Sequence, residues 1–242
     1  MKTGKYSGKS SVEVIRERFD LDVERFSNMD TGQKTVPDAA TMMELCTAAA
    51  NYSNPEAKEL LDLGCGAGNY TLKMLGQNPR LNCTLNDLSG PMLDRAKERV
   101  GALAKGTVRI IKDDLRELQL PEGHFDIILA AAVFHHLRDD SDWEKVFHQV
   151  FKMLKPGGSI WISDLISHDS PHLYHLFQDR YSAYLEELGG IEYREKVWKY
   201  IAEEDSPRSL EYQLGLMKDV GFRQVEVLHK HGLFAAFGGI KP

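Results

Sequence analysis

The chain has 242 residues, with 30 Lys+Arg, 36 Asp+Glu and three Cys. That length fits one large domain or one domain with an appendage. A composition of 42% hydrophobic and 27% charged residues is ordinary for a globular protein and excludes collagen-like, low-complexity and disordered chains. The formal net charge of −6 argues against a dedicated nucleic-acid binder, which carries a basic face. Cys46, Cys65 and Cys83 have no paired spacing, which argues against zinc ribbons and disulfide frameworks and for a reducing compartment. No apolar run has the length of a membrane span, and Met1-Lys2-Thr3-Gly4-Lys5 is not followed by a leader's apolar segment. The expected location is therefore the cytoplasm.

Residues 1–11 are polar and expected to be mobile. Val12, Ile15, Phe19, Val23 and Phe26 then recur at the spacing of one or two short amphipathic helices over 12–29. A further helix is predicted over 38–50, with Pro37 near its first turn. From Glu59 the pattern becomes an alternation. Strands are predicted at 60–63, 81–85, 108–111, 125–133 and 159–163, and helices at 70–76, 90–104 and 141–154. Strands alternating with helices in this way imply βαβ units and a mainly parallel sheet. The alternation breaks after the fifth strand. A helix over 171–188 opens on Ser170-Pro171 and ends at Gly189-Gly190, a second covers 191–203, and a third runs from Pro207 to Gly221. Two last strands follow, at 224–228 and 233–237.

Four motifs carry chemistry. The first is Leu61-Asp62-Leu63-Gly64-Cys65-Gly66-Ala67-Gly68, between a strand and a helix. Its glycines allow a tight turn and let backbone N–H groups approach a ligand closely. The second is Asn86-Asp87-Leu88-Ser89, at the end of the next strand. A carboxylate there, about 20 residues beyond the turn, can accept both hydroxyls of a ribose; the alternative is a helix-capping role, which Ser89 can fill alone. The third is Lys112-Asp113-Asp114-Leu115, where a carboxylate can accept from an exocyclic amine or simply form a solvated turn. The fourth is the run from Asp126 to Leu137, where Ala130, Ala131 and Ala132 leave room for a ligand at the end of a buried strand. Lys155-Pro156-Gly157-Gly158 enters the fifth strand and completes the set.

In this order the motifs resemble those of the class I S-adenosylmethionine-dependent methyltransferases, over about Glu59 to Phe237. The resemblance implies an α/β, Rossmann-like, seven-stranded, mostly parallel sheet in the order 3-2-1-4-5-7-6, with the last strand antiparallel. It implies S-adenosyl-L-methionine as cofactor and S-adenosyl-L-homocysteine as product. Carried over residue by residue, it gives Gly64, Cys65, Gly66 and Gly68 to the methionine part, with Asp62 ordering the turn. Asp87 takes the ribose hydroxyls, Leu88 and Met92 flank the adenine, Asp114 or its rival Asp113 takes the adenine amine, and Ala131 approaches the methionyl end, with Leu115 also counted among the cofactor-binding residues. The run from Arg18 to Phe26 also loosely resembles the cap segment of carboxy-S-adenosylmethionine synthase-like proteins of tRNA modification.

A sulfonium methyl donor is already activated, so positioning supplies much of the acceleration, and a base is needed only for a protonated acceptor. His135, directly after the fourth strand, is the candidate catalytic side chain, and His136 a candidate cap of the following helix. Arg18, Arg25, Tyr174 and His231 are candidates for substrate contact; helix-surface ion pairing, core packing and a solvated turn are their plainer roles. His168, His172 and His175 have part of a metal-ligand spacing but no evident fourth ligand, so no metal is expected. The chain divides into a helical cap over 1–50 and a methyltransferase domain over 51–242, with a helical lid inserted at 168–205. The expected partner is a small-molecule acceptor, with neither nucleic acid nor membrane, in a monomer or homodimer. A tRNA-modification enzyme and a non-catalytic cofactor-binding protein are the competing readings.

Overall fold

The computed structural model describes residues 8–28 and 33–242. Residues 1–7, the larger part of the segment expected to be mobile, and Met29, the last position of the predicted 12–29 stretch, lie outside the described residues. Helix α1 (Val12–Leu21) starts where Ser11 Oγ accepts the Val14 amide, and α2 (Val23–Ser27) follows after Asp22. Then come α3 (Ala39–Ser53), β1 (Glu59–Leu63), α4 (Asn69–Gln77), β2 (Asn82–Asp87), α5 (Gly90–Gly101), β3 (Val108–Lys112) and β4 (Phe125–Ala131). A single 3-10 turn over Phe134–His136 leads to α6 (Asp140–Met153), β5 (Leu154–Leu165), α7 (Pro171–Glu204), α8 (Leu210–Val220), β6 (Arg223–His231) and β7 (Phe234–Ile240).

The seven strands form one sheet in the order β3-β2-β1-β4-β5-β7-β6. β3, β2, β1, β4 and β5 are parallel to their neighbours, and β7 runs antiparallel between β5 and β6. This is the expected architecture. Along each inner strand the side chains alternate between two apolar layers, as the period of two requires. Leu60, Ile127, Leu129 and Trp161 enter one layer with α3, α4 and α5. Leu61, Ile128, Ala130 and Ile160 enter the other with α6 and α8. Covered on both faces, the strands read as nearly continuous apolar runs rather than as alternating ones.

Several boundaries differ from the predicted ones for identifiable reasons. β5 begins at Leu154 rather than 159, because Leu154 already pairs with Phe125. α8 begins at Leu210, not Pro207, because Ser209 Oγ accepts the Tyr212 amide and caps it there. Gly190, at φ 79° and ψ −177°, breaks α7 where the two predicted helices meet. Of the fifty residues expected to form a cap, α3 lies within the sheet packing: Met42, Met43, Cys46 and Ala50 are buried in the first apolar layer. Lys9 and Ser10 are docked rather than free. The Ser10 amide donates to Glu203 O, and Lys9 Nζ donates to the carbonyls of Ala202 and Asp205 at the end of α7.

β7 approaches β5 closely at Gly238, where a Cβ would stand 2.2 Å from Ile160 O and 2.4 Å from Trp161 Cε3. Gly238→Ala is therefore expected to lower stability by at least about 1–3 kcal/mol, the cost of overpacking. Gly76→Ala on α4, where a Cβ meets nothing within 4 Å, should instead stabilise by about 0.4–1 kcal/mol. Urea unfolding midpoints of the two variants check both.

Candidate active site

The turn after β1 follows from its glycines. Gly64, Gly66 and Gly68 have φ of +62°, +50° and +83°, in the left-handed region where a side chain is strained. A Cβ at Gly64 would collide with Val133 Cγ2 at 2.5 Å, whereas one at Gly66 would meet nothing within 4 Å. The turn is thus packed on one side and open at Gly66. Beneath it lies Asp62, which accepts the Thr71 hydroxyl at 2.6 Å. Burial pushes the Asp62 carboxyl up to about 7, against the pull of the Thr71 hydrogen bonds.

Asp87, at the end of β2, ties this turn to the next helix. Its Oδ2 accepts the Gly66 amide at 2.9 Å and its Oδ1 accepts the Ser89 amide at 2.9 Å. Burial pushes its pKa up, and the amides of Ser89, Gly66 and Leu88 pull it back. Each oxygen keeps spare acceptor capacity, since an ionised carboxylate has about four lone-pair sites. Ser89 Oγ caps α5 by accepting the Met92 amide and donates to Asp20 Oδ1 of α1 at 2.5 Å.

These groups wall one cavity, of about 1090 Å³ with its open mouth included. Asp62, Gly64, Cys65, Gly66, Asp87, Leu88, Met92, Asp113, Asp114, Leu115 and Ala131 all line it, so of the predicted cofactor residues only Gly68 does not. Gly68 instead starts α4, and a Cβ there would press on Val100 and Ala96 of α5. The Asp114 carboxylate is engaged by Arg116 Nε at 3.0 Å and Nη2 at 2.5 Å. Burial works against its charge, but these bonds prevail and lower its pKa. Asp113 uses Oδ1 for the Asp114 amide and is exposed. Burial raises the Cys65 thiol well above its ordinary value, so it stays protonated, a small packing group rather than a nucleophile.

The opposite wall comes from the N-terminal helices, through Val12, Ile15, Phe19 and Phe26. Asn69 Nδ2 donates to Phe26 O at 2.9 Å, Arg95 pairs with Glu24, and Arg18 Nη2 reaches Glu204 at 2.6 Å and Tyr200 Oη at 2.9 Å. Arg138 donates to Ser10 O at 2.8 Å and to Glu204 O at 2.6 Å, so α1 and α7 are held to the turn after β4.

The predicted substrate and catalytic side chains fall elsewhere than in the cavity wall. His135 is turned away from the cavity: its Nδ1 meets Asp164 Oδ1, and its neighbour His136 takes the place in the wall. Burial disfavours the His135 cation, but Asp164 and Asp205 outweigh it and raise the pKa to about 9. His136 is held well below its usual value by burial and by His135, so it is neutral. Arg18 is spent on Glu204 and stacks 3.8 Å over Tyr200, and Arg25 pairs with Asp22. Tyr174 packs against the first apolar layer. His231, with His229, holds Asp38 Oδ2 on the far side of β7 from the glycine turn.

Sequence reasoning missed several wall residues. Tyr70, Asn86, Arg116 and Arg138 line the cavity, and Asn86 Nδ2 pins the turn after β3 through Ile111 O and Asp113 O. The signal for Asn86 was its place beside Asp87 at the C-terminal end of a buried strand.

Residues 60–158 match the family model described as a methyltransferase domain. The chain is 28% identical over 189 residues to a ubiquinone/menaquinone biosynthesis C-methyltransferase of Ectopseudomonas mendocina, covering 76% of this chain and 72% of the relative. It is 29% identical over 147 residues to a carboxy-S-adenosyl-L-methionine synthase of Hydrogenovibrio crunogenus, covering 60% and 57%. In fold it is similar to a 1,6-didemethyltoxoflavin-N1-methyltransferase of Burkholderia thailandensis, with a TM-score of 0.63, 18% identity, and coverage of 95% of this chain and 88% of that one. It spans 51%, 45% and 62% of the length of the first curated relatives it matches. Residues 60–158 are thus similar to a methyltransferase domain, within a sheet whose order is the one the motif resemblance implies, and the structural neighbour was solved with S-adenosylhomocysteine bound. No helix among the described residues is long and apolar enough to cross a membrane.

Asp62 gives the cofactor-free protein a pH signature. Its folded pKa of about 7 lies above the unfolded carboxyl, so its contribution to stability is fully present below about pH 3.9 and is lost as pH rises through about 7. Thermal melting of the cofactor-free chain should therefore decline more steeply between about pH 5 and 8 in the wild type than in Asp62→Asn. Equal slopes would mean that Asp62 is ionised throughout.

Proposed function

We propose that the chain transfers a methyl group from S-adenosylmethionine to a small-molecule acceptor held between the glycine turn and helices α1 and α2. The observation that carries this reading is the Asp87 carboxylate: it is anchored by two amides, faces the cavity with spare lone pairs, and stands beside the open Gly66. That arrangement fits the cofactor. Asp87 would accept the ribose hydroxyls, the turn at Gly64 and Gly66 would admit the methionine part, and Leu88, Met92 and Leu115 would flank the adenine. Asp113, the less engaged of the two neighbouring carboxylates, would accept the adenine amine. S-adenosylmethionine, when bound, supplies a sulfonium methyl that is already a good electrophile.

The protein's part is then to orient and to exclude water. Phe19, Phe26, Ile15 and Val12 give the cavity an apolar ceiling, and α7 braces that ceiling from behind through the Arg18–Glu204 pair. His136, neutral and in the wall, offers the acceptor an uncharged ring face, since both of its ring nitrogens are buried. His135, the side chain favoured from sequence, is held by Asp164 and acts from behind that wall. Small-molecule chemistry is supported by the relative named for ubiquinone/menaquinone biosynthesis and by the structural neighbour with bound 1,6-didemethyltoxoflavin.

Removing the ribose acceptor with Asp87→Ala should weaken S-adenosylhomocysteine binding at least about tenfold, the scale of one or two lost buried hydrogen bonds. Calorimetric titration measures this, and unchanged affinity would remove the ribose assignment. Methylated product in a small-molecule acceptor screen tests the transfer itself.

A further inference from the structure

Behind the cavity wall, three side chains from two segments converge. His135 and His136 stand in the 3-10 turn after β4, and Asp205 follows α7. Asp205 Oδ1 lies 3.7 Å from His135 Nε2 and 3.3 Å from His136 Nδ1. The Asp205 side chain is only 2% exposed, yet neither its Oδ1 nor either ring nitrogen of His136 has a well-formed hydrogen-bond partner. One buried orphan costs about 1–3 kcal/mol, and here they face one another.

Asp164 sharpens the arrangement. It accepts the amides of Phe134 at 2.8 Å and Leu165 at 2.7 Å, and its Oδ1 meets His135 Nδ1. Asp164 thereby holds one proton on Nδ1 and aims Nε2 at Asp205, as in the carboxylate–histidine pairs that orient metal ligands; a cation bound there displaces the Nε2 proton. The ligand atoms of His135, His136 and Asp205 all lie within 4.8 Å of one another. A proton between His135 and Asp205 would draw a charge-assisted pair to about 2.7–2.9 Å, shorter than the gap found. Bonds of about 2.0–2.2 Å to a shared cation instead separate its ligands by about 3–3.5 Å; the Asp205–His136 gap of 3.3 Å falls in that range and the Asp205–His135 gap of 3.7 Å lies just beyond it. Among the described residues, the Asp205 carboxylate has ion pairs with these two imidazoles alone. Lys9 is directed to backbone carbonyls, and Arg18 to Glu204.

We propose that His135 Nε2, His136 Nδ1 and Asp205 Oδ1 bind a divalent first-row transition-metal cation, with Asp164 orienting His135. Two imidazoles and one carboxylate suit zinc, cobalt, nickel, iron(II) or manganese better than magnesium or calcium. The cation ties the end of α7 to the turn that presents His136 to the cavity. This revises the sequence expectation of no metal, and it does so at a different group of histidines. His168, from the group weighed first, meets Gly232 O at 3.0 Å and stacks on Phe177. The inference does not depend on methyl transfer.

The test uses the full chain, stripped with a chelator and titrated with Co²⁺ and Zn²⁺. His229→Gln/His231→Gln serves as background, because Asp38, His229 and His231 form a second, exposed set of ligands. In that background one equivalent of Co²⁺ should bind with visible d–d absorption, and Zn²⁺ should raise the melting temperature. Asp205→Asn and His135→Gln should each weaken binding about 10–100-fold, with circular dichroism of the metal-free variants checking the fold. If either variant fails to fold, the background titration alone decides. Absorption and thermal shift that are absent in the background, or that survive Asp205→Asn, would overturn the proposal and leave a protonated His135 between two carboxylates.

Discussion

One carboxylate, that of Asp87, ties together the parts that surround the cavity. Parallel strands deliver their C-terminal ends side by side, but the loops beyond them have no ladder to hold them. Asp87 supplies that hold by taking the Gly66 amide on one oxygen and the Ser89 amide on the other. Ser89 then caps α5 and reaches Asp20 on α1. A continuous line of hydrogen bonds runs from the glycine turn through the strand end and the helix cap to the N-terminal helices. The cavity's floor and ceiling are therefore positioned by the same side chain. Each bond contributes only about 0.5–1.5 kcal/mol net, but their common anchor fixes the geometry.

The parts that could be read from the sequence are those encoded by local spacing. The run from Asp62 to Gly68, the acidic strand end at Asp87, and the alternation of strands and helices need no distant partner to be recognised. The sheet order came from the resemblance, not from periodicity, since apolar runs do not say which strand is whose neighbour. The side chains that remained hidden are those whose direction is set across the fold. His135 and His136 are adjacent in one turn, and only Asp164, on β5, decides which of them turns inward. Phe19 and Phe26 read as an apolar stripe; that the stripe faces a cavity depends on Asp20, Glu24 and the Phe26 carbonyl finding partners on α5 and α4.

The charges on the N-terminal helices show the same limit. Arg18 and Arg25 both stand at helical spacing from Asp22, so local pairing was the plain reading. Of these, Arg25 does pair locally, with Asp22, but Arg18 crosses to Glu204 and Glu24 crosses to Arg95. Exposed pairs contribute little. Arg18 is different because its partner is 6% exposed and its guanidinium lies on the Tyr200 ring. Long-range pairs of this kind fasten the N-terminal helices to α7 and α5, and they spend arginines that would otherwise face an anionic ligand.

The contacts of Lys9 and Arg138 with the last carbonyls of α7 have a practical side. A helix leaves its final carbonyls without partners, and here a side chain from near the other end of the chain supplies donors to Ala202 and Asp205, while Arg138 supplies Glu204. The stop signal of α7 thus stands almost two hundred residues before the helix end that it caps. Trimming back to the first predicted helix, a natural choice when shortening a chain for crystallisation or fusing a tag, would strip the Lys9 donors from Ala202 and Asp205 and leave Arg138 alone on that helix end.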